Sequence, residues 1–100
     1  MYAYDAYNCR VSPEFDPAKN SANLAKHGVS LADAEGVLCD PLAITLEDIR
    51  ARGEARWVTL GVNAMGRLLV VVWAERTDDV RLISARCATA RERRDYEKRV

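Results

Sequence analysis

RWVTLGVNAMGRLLVVVWAERTDDVRLISARC, residues 56–87, decides the fold. Val, Leu, Ile and Trp recur in three runs, 56–63, 67–76 and 79–87, the residue types that fit a pleated, half-buried surface. The links between them, AMG and TDD, are too short for anything but hairpins, so the three runs form an antiparallel meander. In the first run Val58, Leu60 and Val62 point to one face, and Trp57 and Thr59 to the other. The second run, RLLVVVWA, is apolar at both parities. It reads as a central strand with cover on each side. A fourth strand, LAITLED (42–48), precedes the meander.

Helical signals flank the sheet. Asp16 suits an N-cap, Pro17 the first helical position and Gly28 the left-handed C′ position of a helix over DPAKNSANLAKHG. Leu24 and Ala25 are expected on its inner face, with Lys19 and Lys26 outside. Ser30 caps a second short helix, Asp33 lies in its first turn and Pro41 ends it, with Leu31, Ala34, Val37 and Leu38 at helical spacing. Near the end, Thr89-x-x-Glu92 has the spacing of a capping box. The helix it opens carries few apolar residues besides Ala90 and Tyr96. The order helix, helix, four strands, helix implies an α+β fold: the two early helices on one face of a twisted antiparallel sheet, the other face partly open with the last helix at its edge. Residues 13–100 are expected to be one domain and residues 1–12 a loosely held arm.

Composition narrows the class. The chain has 100 residues, 30% of them charged, as in an ordinary globular domain, and no apolar run approaches a membrane span. The opening MYAYDAYNCRVS lacks the basic and apolar regions of a signal peptide, so a cytoplasmic location is expected. Cys9, Cys39 and Cys87 have no C-x-x-C spacing and read as buried free thiols rather than a disulfide framework or a zinc site. The net charge of zero conceals an asymmetry: residues 1–54 carry five basic and nine acidic residues, residues 55–100 ten basic and six acidic. The basic half suits an anionic partner.

The residues able to act on such a partner are few. Arg67 follows Gly66 at the entry to the central strand, and Arg86 closes the last strand, on the face of Leu82 and Ser84 by period-two alternation. Neighbouring antiparallel strands bring two such guanidiniums to one sheet end, where planar forks suit phosphate oxygens. Each has a plainer reading, Arg67 as a turn residue and Arg86 as the partner of an acid such as Glu75. His27 has the ordinary pKa closest to neutrality, and in the last turn of its helix it also suits the carbonyl end. Tyr96 offers a phenol or a packing ring. Arg91, Arg93 and Arg94 make the last helix basic, diluted by Glu92, Asp95 and Glu97, with Asp95 and Arg99 one turn apart. No P-loop, G-x-G-x-x-G, H-E-x-x-H or G-x-S-x-G pattern is present.

FDPAKNSANLAKHGVSLADAEGVLCDPLA, GEARWVTLGVNAMGRLLVVVWAER and RLISARCATARERRDYE together resemble the BrnT toxins of bacterial type II toxin–antitoxin systems. NLAKHGVS and the ISAR-x-AT-x-RER-x-x-Y ending carry most of the likeness, which runs from about Phe15 to Tyr96. It implies a RelE-like fold and a metal-independent endoribonuclease, without cofactor, that arrests translation. It also implies a BrnA-like antitoxin whose ribbon-helix-helix domain binds promoter DNA, the toxin reaching DNA only through that complex. Carried onto this chain, the family pattern makes Lys26, His27, Arg67, Arg86 and Tyr96 the active-site set, and the basic ending an RNA-phosphate surface and equally the surface an acidic antitoxin segment would cover. Where the family often has a further arginine after ISAR, this chain has Cys87. Two other readings compete: a nucleic-acid or antitoxin-binding module without catalysis, and an interaction subunit that keeps only its protein partner.

Overall fold

The computed structural model describes residues 15–50, 53–76 and 79–98. The proposed arm, Cys9, the first two residues of the TDD link and the Arg99 half of the Asp95–Arg99 pair lie outside them. Two helices, α1 (Pro17–His27) and α2 (Ala90–Glu97), and a 3₁₀ segment (Leu31–Cys39) accompany strands β1 (Ile44–Glu47), β2 (Arg56–Val62), β3 (Leu68–Arg76) and β4 (Asp79–Cys87). The sheet is antiparallel throughout, in the order β1-β2-β3-β4.

The termini of the helices follow the capping chemistry. Asp16 Oδ1 accepts from Ala18 N, Pro17 opens α1, and Gly28 closes it at φ 70°, donating its N–H to Leu24 O. Ser30 caps the 3₁₀ segment, and Thr89 and Glu92 complete the box at α2. The second helix is wound as 3₁₀, with Asp33 N bonded to Ser30 O and Asp40 N to Val37 O. Gly36 within it lies so close to the Asn63–Ala64 backbone that a Cβ would stand 3.0 Å from Ala64 N.

One sheet face builds the core. Leu69, Val71 and Trp73 of β3 and Leu82 and Ala85 of β4 pack with Val29, Leu31, Ala34, Val37 and Leu38. Trp57 stacks on Trp73 with ring centroids 6.0 Å apart, so both indoles serve packing. Trp73 Nε1 donates to Thr59 Oγ1, which lies 2.9 Å from Thr45 Oγ1, so the buried hydroxyl between them is satisfied.

Three expectations are corrected. Leu24 is 51% exposed and Ala25 is also exposed; α1 instead turns Asn20, Asn23 and His27 inward. The cause is hydrogen bonding: Asn23 Nδ2 donates to Val29 O at 2.7 Å and Ala85 O at 2.8 Å, while its Oδ1 accepts from Ala85 N at 3.1 Å. β4 is an edge strand, and an amide side chain completes its edge as a neighbouring strand would. Next, Leu82 does not share a face with Ser84 and Arg86. A β-bulge at Val72/Trp73 places Leu82 opposite Trp73 on the core face and Ser84 opposite Val72 on the other, because one extra residue inverts the alternation. Finally, the cysteines are not all buried free thiols. Cys39 is disulfide-bonded, and Cys87 is a free, exposed thiol at a strand end.

Beyond the end of β1, Asp40 takes over its role. Val62 N, past the last paired β1 residue Ile44, donates to Asp40 Oδ2 at 3.0 Å, and Leu42 N donates to Oδ1. Gly61 permits that approach: a Cβ there would lie 3.1 Å from Asp40 Oδ2, 3.1 Å from Ala43 Cβ and 3.2 Å from Val37 Cγ1. Gly61→Ala is expected to lower stability by about 1–3 kcal/mol, the usual cost of overpacking. A urea midpoint equal to the parent's would show that this corner yields.

Candidate nucleic-acid site

The turn from Asn63 to Arg67 is fixed by one side chain. Asn63 Oδ1 accepts from Met65 N and Arg67 N, its Nδ2 donates to Asp33 O, and its backbone N–H meets Arg67 O at 2.9 Å. Gly66, at φ 81°, supplies the left-handed residue the turn needs. Arg67 therefore leaves the sheet end from a rigid base. Its Nη2 lies 3.1 Å from Cys87 Sγ and its guanidinium is exposed.

Arg86 reaches the same residue from the opposite sheet face, its Nη1 donating to Cys87 O at 3.3 Å. Its fork is engaged by Glu92, with Nη1–Oε1 and Nη2–Oε2 both 2.8 Å. The acid partner is thus Glu92 and not Glu75. Glu92 also closes the capping box, Oε1 accepting from Thr89 N at 2.8 Å. Arg86 thereby clamps the start of α2 to the end of β4.

Tyr96, one turn beyond Glu92 on the same face of α2, is buried, and its hydroxyl donates to Asp40 Oδ2 at 2.6 Å. Asp40 thus joins β2 to the far end of α2. The outer side of α2 exposes Arg91, Arg93, Arg94 and Lys98 with Asp95 and Glu97.

Lys26 and His27 end α1, Lys26 exposed and His27 half-buried. His27 follows Asn23 by one helical turn, about 5.4 Å along the axis. Asn23 in turn is bonded to Ala85, the residue before Arg86. The structure thus gathers Arg67 and Arg86 at Cys87, links Arg86 to α2, and brings the end of α1 against β4 near them. Tyr96 turns its hydroxyl to Asp40, whose Oδ2 also accepts from Val62 N. Asp40, Asn63 and Asn23, which hold these groups, were not singled out by spacing, and Glu92 was legible only as half of a capping box. The inward run Asn20, Asn23, His27 at i, i+3 and i+7 was the available signal for Asn23. Among the described residues no three His, Cys, Asp or Glu side chains gather as metal ligands, and no helix is long and apolar enough to cross a membrane.

The Arg86 clamp has an acid signature. Glu92 is lowered from the usual 4.5 to about 2, first by the hydrogen bond from Arg86, then by the bonds at Thr89 and the Arg86 charge, against the cost of burial. A depressed carboxyl contributes stability that is present above its unfolded pKa and lost as pH falls through the folded one. The stability difference between the parent and Glu92→Gln is therefore expected to be constant above about pH 5 and to shrink as pH falls from 4.5 to about 2. Urea midpoints at several pH values measure it. A difference independent of pH in that window would contradict the clamp.

Comparison with known proteins identifies the family. Residues 15–92 match the family model of BrnT, the ribonuclease toxin of type II toxin–antitoxin systems. The chain belongs to the BrnT family. Its fold is also that of the Brucella abortus ribonuclease toxin BrnT, whose crystal structure was determined at 1.1 Å resolution. The two are 23% identical with a TM-score of 0.62, over 79% of this chain and 97% of that one. No curated protein matches the chain. The family match spans α1, the whole sheet and the first turn of α2 through Glu92, so Lys26, His27, Arg67 and Arg86 fall within it and Tyr96 lies just beyond. Membership in this toxin family implies an RNA substrate and an antitoxin partner.

Proposed function

We propose that this BrnT-family chain is a metal-independent endoribonuclease that acts in the cytoplasm, inhibits translation by cutting RNA and is neutralised by a BrnA-like antitoxin. The observation that carries the reading is the meeting of Arg67 and Arg86 at Cys87, beside the exposed arginines of α2. Cleavage of RNA through its own 2′-hydroxyl needs fixed positive charge on a phosphate that gains charge, and two guanidiniums supply it. The 2′-oxygen bonds to phosphorus, the 5′-oxygen leaves, and a 2′,3′-cyclic phosphate and a 5′-hydroxyl result. His27 accepts the 2′-hydroxyl proton, while a second group or water protonates the leaving oxygen. Lys26 positions the backbone, and Arg91, Arg93 and Arg94 hold flanking phosphates. Tyr96 serves the site through α2, its hydroxyl being committed to Asp40. The antitoxin contributes the ribbon-helix-helix domain, and promoter DNA is bound through the complex.

The test is the chemistry of the ends. Labelled RNA incubated with antitoxin-free protein is expected to yield cyclic phosphate and 5′-hydroxyl termini, and an RNA with a 2′-deoxy residue at the cut position to resist. Ends bearing 5′-phosphate would overturn the mechanism. One observation favours a second reading, a binding module without catalysis: the Arg86 fork is already filled by Glu92. That reading predicts salt-sensitive RNA binding with no cleavage, unchanged in His27→Ala.

A further inference from the structure

The sheet has a second face, and its residues fall into rows across the strands. Val62 and Leu68 form the row under α2. Ile44, Leu60, Val70 and Arg86 form the next, then Leu46, Val58, Val72 and Ser84, and finally Arg56, Ala74 and Arg81 beside Asp48. α2 crosses this face from Arg86 on β4 to Asp40 beside the end of β2. Leu68 and Val70 beneath that path are buried. At eight residues the helix is about 12 Å long and about 10 Å wide, so it covers one end of the face only. What remains is an apolar strip of Ile44, Leu46, Val58, Leu60 and Val72, none of them fully buried and Leu46 67% exposed. Four strands span about 14 Å, and adjacent same-face rows lie about 7 Å apart, so the strip is the width of one more helix laid beside α2. Its far rim is basic, with Arg56 and Arg81 on the same face; the Arg56 Nε has no acceptor among the described residues.

We propose that this strip is the docking site of an amphipathic helix of the antitoxin, lying alongside α2, with apolar residues on Leu46, Val58 and Val72 and acidic residues facing Arg56 and Arg81. The proposal rests on the toxin–antitoxin reading of the family. Charge selects the occupant: a second copy would bring Arg56 and Arg81 against the same arginines, whereas an acidic helix edge complements them. RNA is disfavoured because both tryptophans face the core, leaving no indole on the strip for bases to stack on. The antitoxin therefore binds a surface next to the phosphate site but separate from it, through contacts that salt weakens less than it weakens RNA binding.

The test titrates a purified BrnA-like antitoxin into parent, Leu46→Asp and Arg56→Glu/Arg81→Glu proteins, with thermal melts to verify folding. RNA cleavage is measured in parallel. Both variants are expected to bind the antitoxin roughly tenfold or more weakly, and Leu46→Asp to keep the parent's cleavage rate. Parental antitoxin affinity in both folded variants would overturn the proposal, as would loss of RNA binding in Leu46→Asp with antitoxin affinity retained. Should the parent cut no RNA while Leu46→Asp still loses the antitoxin, the docking surface stands and the ribonuclease reading falls.

Discussion

Arg67→Ala is expected to slow RNA cleavage by about 10²–10³-fold, the usual effect of removing one donor from a stabilised oxyanion, while leaving thermal stability within about 0.5 kcal/mol of the parent. The separation of the two effects comes from the turn. Arg67 holds the turn through its backbone, by its N–H to Asn63 Oδ1 and its carbonyl to Asn63 N, and alanine keeps both. The side chain contacts only Cys87 Sγ among the described hydrogen bonds. Arg86→Ala is a less selective probe, because it also removes both bonds to Glu92 and loosens α2. Single-turnover rates and melting curves on the same preparations distinguish the two. Full activity in Arg67→Ala would remove this arginine from the site.

The second large effect is on stability and arises where no catalysis is proposed. Asn23→Leu is expected to cost about 3–4 kcal/mol, since it strands the Val29 carbonyl and both polar groups of Ala85 in the interior. For a domain stabilised by about 5–15 kcal/mol, this approaches unfolding. Asn23→Asp is expected to fail as well at neutral pH: its carboxylate still accepts from Ala85 N, but it has no proton for the two carbonyls. Chemical denaturation of both variants checks this. A cost under about 1 kcal/mol would mean that water replaces the amide.

These two residues mark the boundary of what the sequence discloses. Strands and helix ends were legible because their chemistry is local: Asp16-Pro17, Gly28, Ser30 and the Thr89–Glu92 box each act within a few residues. The meander was legible from period and link length. The role of Asn23 was not legible, because apolar spacing favours Leu24, whereas the inward side of α1 is chosen by amide bonds to an edge strand 62 residues away. The face of Arg86 was reached despite a wrong companion, Leu82, because a bulge breaks alternation without a sequence mark. The Arg86–Glu92 pair joins a strand end to a helix around a corner, and the Tyr96–Asp40 bond spans 56 residues. Neither has a period to read. Convergence of Arg67 with the end of β4, in contrast, follows from hairpin topology alone.

The Cys87 position ties these observations together. A small thiol sits between two guanidiniums, one on its sulfur and one on its carbonyl. A third guanidinium there would add repulsion between like charges as well as affinity for phosphate. This chain has two cations at the sheet end, and α2 exposes Arg91, Arg93 and Arg94 beyond them.

The most direct measurement is cleavage of a labelled RNA by purified, antitoxin-free protein in excess EDTA, with and without ribosomes, beside Arg67→Ala. Rapid cutting by the parent under chelation, with little by the variant, is the predicted result. Intact RNA in every lane with folded parent protein, or cutting that EDTA abolishes, would contradict the account.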